Sequence, residues 1–121
     1  MKKTFPRLKS PINQKGVKPN RDPCGLVREL YHSANLSIAH NTIVDCAREH
    51  LHRKIDETYY ILKGKGQLVI NKNKLEIRGG DIIPVKKNNW HYLKKTNDEP
   101  LEVLVITNPR YNPKDLFLTG H

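Results

Sequence analysis

The stretch HLHRKIDETYYILKGKG, residues 50–66, sets two histidines one residue apart, then Glu57, then a run of aromatic and apolar residues that closes on glycines. Side chains alternate faces along an extended chain, so His50 and His52 point the same way, roughly 7 Å apart at a rise of about 3.3 Å per residue. Both imidazoles can reach one ion. Glu57 has the opposite parity to His52, so the polar segment RKID, residues 53–56, has to bend before the carboxylate can rejoin the pair. Beyond the bend, Glu57, Tyr59 and Ile61 share one face, and Thr58, Tyr60 and Leu62 share the other.

Outward from this stretch the same texture continues. LVRELYH, LSIAHNTIV, ETYYILKGKGQLVI, KLEIR, DIIPV, HYLKK and LEVLVITN are rich in β-branched, aromatic or leucine residues, with Gly, Asn, Asp or Lys clusters between them. Seven or more short strands at this spacing predict a β-sandwich or barrel. Asn71, Lys72 and Asn73 supply a hairpin turn between QLVI and KLEI, and Gly79 and Gly80 supply the same backbone freedom before DIIPV. Pro113 to Leu118 has room for a single helical turn. Residues 1–25, with Pro6, Pro11, Pro19 and Pro23 among lysines and asparagines, form an extended arm, and residues 26–121 form one barrel. A chain of 121 residues is large enough to bury a core without a disulfide or a structural metal.

The formal charge of +10 raises the question of an anionic partner. Most of it sits in the arm, where Lys2, Lys3, Arg7, Lys9, Lys15, Lys18 and Arg21 face Asp22 alone. There is no interleaving of aromatic with basic residues, no zinc-finger spacing and no helix-turn-helix period, so the sequence argues against a nucleic-acid partner and for a solvated basic leader. No apolar window is long enough to span a membrane, and MKKTFPRLK has no apolar run behind its charges. With Cys24 and Cys46 as its two cysteines, the chain reads as a protein with reduced thiols in the cytoplasm.

A fourth donor to join His50, His52 and Glu57 is His91, in NNWHYLKK, where His91 and Leu93 share a face. Three imidazoles and a carboxylate suit one divalent ion, Fe, Mn, Ni, Co or Zn, and leave positions open for water or substrate. A histidine pair alone is ordinary on a half-exposed sheet. An inward carboxylate without a partner is costly, and that favours the joint arrangement. Glu57 is then a ligand and a candidate proton shuttle. Tyr59, on its face, is a further catalytic candidate, and His40 and Cys46 are candidates for lining a substrate site. The competing assignments are a hydrogen-bonded strand histidine for His40 and a buried structural thiol for Cys46.

These residues resemble the cupin superfamily. Its first motif runs G, five residues, HxH, three or four residues, E, six residues, G; His50, His52, Glu57 and Gly64 match it, and Val44 stands where the leading glycine falls. Its second motif runs G, five residues, PxG, two residues, H, three residues, N; Gly80 and His91 match, whereas Lys86, Lys87 and Asn88 replace PxG and Lys95 replaces the final asparagine. The resemblance covers about residues 35–107. It implies an all-β, double-stranded β-helix (jelly-roll) barrel with metal ligation by His50, His52, Glu57 and His91. It further implies a compact cupin similar to mannose-6-phosphate-isomerase-like members, homodimeric through its N-terminal segment. The function it implies is a mononuclear metal enzyme acting on a small polar molecule such as a sugar or organic acid, of isomerase, lyase or dioxygenase type. The alternative is a non-catalytic small-molecule-binding module.

Overall fold

In LEVLVITN, Leu101, Val103, Val105 and Thr107 are buried while Glu102, Leu104 and Ile106 are only half-buried, the period of two that a strand with one covered face requires. ETYYIL behaves likewise, with Glu57, Tyr59 and Ile61 inside. The computed structural model describes residues 10–22, 25–45 and 48–119; Cys24 and Cys46 lie outside the described residues. A 3-10 turn at Gln14–Gly16 precedes eleven strands among these residues: β1 (Asn20–Asp22), β2 (Gly25–Ser33), β3 (Leu36–Ile43), β4 (His50–Leu51), β5 (Asp56–Lys63), β6 (Lys65–Ile70), β7 (Asn73–Arg78), β8 (Ile82–Val85), β9 (His91–Lys95), β10 (Leu101–Asn108) and β11 (Phe117–Leu118).

The strands form a six-stranded sheet in the order β1-β2-β3-β10-β5-β8 and a five-stranded sheet in the order β11-β4-β9-β6-β7. β3 pairs with β10, β4 with β9, β5 with β8 and β6 with β7, all antiparallel. These pairings describe one long hairpin, its tip at the β6–β7 turn, folded over so that each arm alternates between the two sheets. The architecture is a jelly-roll barrel, the double-stranded β-helix that the resemblance implied. Its topology sets His50 directly opposite His91 on paired strands, with β5 in the facing sheet.

The turns follow from residues that accept a left-handed backbone. Asn71 (φ 48°) and Lys72 (φ 72°) make the two-residue β6–β7 connection, and Gly80 (φ 96°) leads into β8. Asn88 stands at φ 67°, and its N–H donates to the His52 carbonyl at 2.7 Å. Asparagine thus supplies the left-handed turn at the position where the cupin pattern has glycine. Near the C-terminus, Asp115 N–H donates to the Asn112 carbonyl at 2.9 Å, a single turn, before the chain extends into β11.

Between the sheets lie Ile43, Tyr59, Ile61, Leu68, Ile77, Val85, Leu93, Leu101, Val103 and Val105. Each fully buried side chain of this size contributes about 1.5–3 kcal/mol, so the barrel has a core of its own apart from any metal. β1 pairs with β2 at the sheet edge, and Arg28 Nε donates to the Val17 carbonyl at 3.1 Å, which ties the described part of the arm to the same sheet. Among the described residues no helix is long and apolar enough to cross a membrane.

Candidate metal centre

Two sheets meet at the candidate centre. His50 opens β4, His91 opens β9 in register with it, and Glu57 lies on β5 across the interior. His52 follows β4, where the chain leaves one sheet for the other. The bend that parity demanded falls at Arg53 and Lys54, whose N–H groups donate to Asp115 Oδ1 and Oδ2, each at 2.9 Å. Past them Ile55, 2% exposed, packs inward and sets Glu57 on the covered face of β5.

His50, His52, Glu57 and His91 each bring a nitrogen or oxygen to within 4.8 Å of the others. His52 Nε2 lies 3.0 Å and His91 Nε2 2.8 Å from Glu57 Oε1, and the Tyr59 hydroxyl donates to the same oxygen at 3.3 Å. His52, Glu57 and His91 are buried, while His50 is half-buried.

The opposite edge of each imidazole is occupied. Nδ1 of His50 faces the Arg48 carbonyl at 2.7 Å, Nδ1 of His52 the Asp115 carbonyl at 2.7 Å, and Nδ1 of His91 the Asn89 carbonyl at 2.8 Å. A carbonyl only accepts, so each Nδ1 carries the proton and the neutral ring keeps its lone pair on Nε2. His52 Nε2 is buried without a hydrogen-bond partner, because Glu57 lies close but off the line of a hydrogen bond. Such an orphaned donor atom is costly in a sheet core and suited to an ion. Three nitrogens and one carboxylate oxygen thus fit a borderline divalent metal.

The electrostatics agree with that use at Glu57 and His50, whereas at His52 a proton competes with an ion. Burial alone would push the Glu57 carboxyl up, but His52 and His91 beside it hold it well below the usual carboxylate range. Burial, reinforced by His91, lowers the His50 pKa to about 4, which keeps that ring neutral at physiological pH. At His52 burial also works against charge, yet the Glu57 carboxylate and the Asp115 carbonyl outweigh it and the pKa is raised. Burial and the Glu57 charge push the Tyr59 phenol well above its ordinary value, so it stays a proton donor.

The structure brings His50, His52, Glu57, Tyr59 and His91 together. It does not bring His40 to them: His40 pairs with Leu104 on β10, on the face opposite Val103 and Val105, and its Nε2 lies 3.1 Å from Glu102 Oε1 on that outer side. Cys46 lies outside the described residues. Two neighbours were invisible to pattern. Asp115 holds both the bend and His52, and the Tyr111 ring sits edge-on to His52 with centroids 6.0 Å apart. Neither belongs to a spacing motif; the faint signal for Asp115 is a lone acid among Pro113, Lys114 and apolar residues. A hollow of about 260 Å³ between Glu49, Asn71, Lys72, Trp90 and Thr119 involves side chains of opposite parity to His50 and His91, and so lies on the outer side of the five-stranded sheet.

Fold and site together define a small jelly-roll barrel with a candidate three-histidine, one-glutamate centre between its sheets. The cupin domain model matches residues 45–107, and the chain belongs to that family. An uncharacterized protein of Methanocaldococcus jannaschii is 32% identical over 66 residues, 54% of this chain and 53% of its own. Another, of Aquifex aeolicus, is 33% identical over 66 residues, 54% of each. The chain therefore spans about half the length of the curated relatives it matches. Among solved structures, a protein from Planctomyces limnophilus superposes with TM-score 0.81 at 18% identity, covering 94% of this chain and 97% of that one. Streptomyces Pac13, as a variant with uridine, gives 0.79 at 14% identity (93% and 95% covered), and KdgF from Halomonas sp. gives 0.79 at 14% (88% and 99%). At these identities the likeness shows the fold.

Proposed function

We propose that this cupin is a mononuclear metal enzyme acting on a small polar molecule such as a sugar or organic acid, by isomerase, lyase or dioxygenase chemistry. The observation that carries the proposal is the convergence on Glu57 of three imidazoles, each with Nδ1 committed to a carbonyl. His50, His52, Glu57 and His91 would hold the ion. A bound divalent metal supplies a Lewis acid that polarises a substrate oxygen or lowers the pKa of water, or, as iron, a site for dioxygen. Tyr59, protonated at neutral pH, orients the Glu57 carboxylate through its hydroxyl and does not serve as a base. Solved relatives lend support: Pac13 is described as a nucleoside dehydratase.

Metal content by mass spectrometry on untagged protein tests this, beside a His50→Ala, His91→Ala double variant shown to be folded by circular dichroism. Near-stoichiometric iron, manganese, nickel, cobalt or zinc, lost in the variant, is the expected result. Protein that is metal-free and refuses added ions overturns the reading.

One observation favours the second reading, a small-molecule-binding module. Glu57 is 6% and His91 1% exposed, so little of the centre is open to a bulky substrate. Incubating loaded protein with sugars and organic acids, followed by NMR, separates turnover from simple binding.

Homodimerisation and a cytoplasmic location belong to the same proposal. The described part of the arm stays on its own sheet, so support for a second copy comes from Tyr60, Leu62 and Ile82, exposed on the outer face of β5 and β8. Light scattering at micromolar concentration that returns the mass of one chain counts against it.

A further inference from the structure

We infer that Asp115 is the positioning residue of the centre, and that the C-terminal strap carrying it sets how tightly the four side chains hold a divalent ion. The inference rests on the metal-binding reading above.

The three histidines are oriented in two different ways. His50 and His91 each take their Nδ1 acceptor from the residue two places before them, Arg48 and Asn89, so the local backbone that places the ring also aims it. His52 takes its acceptor from Asp115, 63 residues along the chain. Its ring is therefore aimed only when the strap is seated. Asp115 does this with separate groups: its main-chain carbonyl accepts from His52 Nδ1, and its carboxylate accepts from the consecutive N–H groups of Arg53 and Lys54. Those two residues make the bend between His52 and Glu57, so one residue governs both the orientation of a ligand and the geometry of the loop joining two ligands.

The strap is anchored on either side of Asp115. Tyr111 N–H donates to Ser37 Oγ at 3.1 Å, and Ser37 is in turn hydrogen-bonded to Thr107, the cross-strand neighbour of Glu57. Phe117 and Leu118 pair with Leu51 and His50, and the Arg53 guanidinium lies 4.2 Å from the Phe117 ring centre. The second anchor is on the ligand strand β4 itself, and the first reaches the strand beside Glu57 through Thr107. A group that orients a metal-binding histidine typically governs affinity by about 10- to 100-fold.

Wild type, Asp115→Ala, Asp115→Asn and Ile77→Ala decide the matter by two measurements. The first is a ¹⁵N–¹H correlation spectrum of the histidine rings in metal-free protein, with the pH raised until the His52 signals no longer move. The second is cobalt(II) titration followed by visible absorption. The expected outcome is a single Nδ1-protonated His52 in wild type and a tautomer mixture in Asp115→Ala, with cobalt affinity at least about tenfold weaker and an altered cobalt spectrum. Asp115→Asn, which keeps one acceptor oxygen, should fall between them, and it carries the test if the alanine variant does not fold. Ile77→Ala opens a cavity in the core on β7 and loses stability, but should keep the wild-type tautomer and affinity. A wild-type His52 tautomer in the Asp115 variants overturns the inference, as does an equal affinity loss in Ile77→Ala. If wild type takes up no cobalt, the proposed function fails, and the tautomer comparison still decides the role of Asp115.

Discussion

Glu57 is closely surrounded: two imidazole nitrogens lie within 3.0 Å of Oε1, and the Tyr59 hydroxyl donates to it at 3.3 Å. Removing one donor tests how the carboxylate is held. Tyr59→Phe deletes one hydrogen bond inside the core and should cost about 1 kcal/mol, within the usual 0.5–1.5 range for such a bond, while leaving metal stoichiometry intact; denaturant melts and metal analysis check both. His50 makes a prediction with pH. Its folded pKa of about 4 lies below the ordinary 6.5, so between those values the unfolded chain binds the proton and the folded chain does not. Metal-free protein therefore loses stability at this site as pH falls through that interval. Glu57, with its pKa lowered from 4.5, contributes stability above that value that is lost on further acidification, whereas the raised pKa of His52 acts in the opposite direction, above about 6.5. His50→Gln should accordingly flatten the dependence of the melting temperature on pH between about 6.5 and 4 in metal-free protein, leaving the steeper fall at lower pH.

At the scale of elements, two glycines of the cupin motifs sit in similar conformations with unequal surroundings. Gly64, between β5 and β6, has φ +97°, and a Cβ there would meet the Pro100 carbonyl oxygen at 2.7 Å; Gly80 has φ +96° with nothing within 4 Å. Both alanine variants bear the cost of a left-handed backbone, about 1–2 kcal/mol. Gly64→Ala also has to displace main chain beside β10 and should be the more destabilising by a clear margin in thermal melts. Equal losses would mean that the β5–β6 turn yields more readily than its packing implies. Gly64, which matches the pattern, and Asn88, which replaces its glycine, each mark a turn beside a ligand strand, and each has the positive φ that glycine or asparagine tolerates. The Pro113–Leu118 segment was less legible. It makes one turn and then joins β4 as β11, because the unpaired edge of β4 offers hydrogen bonds that a short isolated helix cannot match.

For the whole molecule, an ion bound only by the folded state raises its stability by mass action, about 2.7 kcal/mol at a free concentration 100 times Kd. Added cobalt or zinc should therefore raise the melting temperature of wild type and leave that of the His50→Ala, His91→Ala variant unmoved. The variant should still fold, because nine buried aliphatic side chains between the sheets make a core apart from the centre. A variant that unfolds without metal would make the ion structural in place of catalytic.

The sequence by itself determined the parity within the strand-like segments it showed, because alternation is a property of two adjacent residues, and with it the all-β class and the grouping of Glu57 with Tyr59 and of His50 with His52. The HxH to glutamate spacing and the later His91 were legible for the same reason: each is a local count along a strand or turn. Parity separates two faces without saying which is covered. In LSIAHNTIV, His40 could line a cavity or be a hydrogen-bonded strand histidine, and only the pairing of β3 with β10 puts it on the face opposite Val103 and Val105, buried beside Glu102. Nor does a local count see a main-chain carbonyl returning from 63 residues away to aim an imidazole. The Asp115 contacts exist because the strap crosses the bend, and that closure depends on how the two sheets stack.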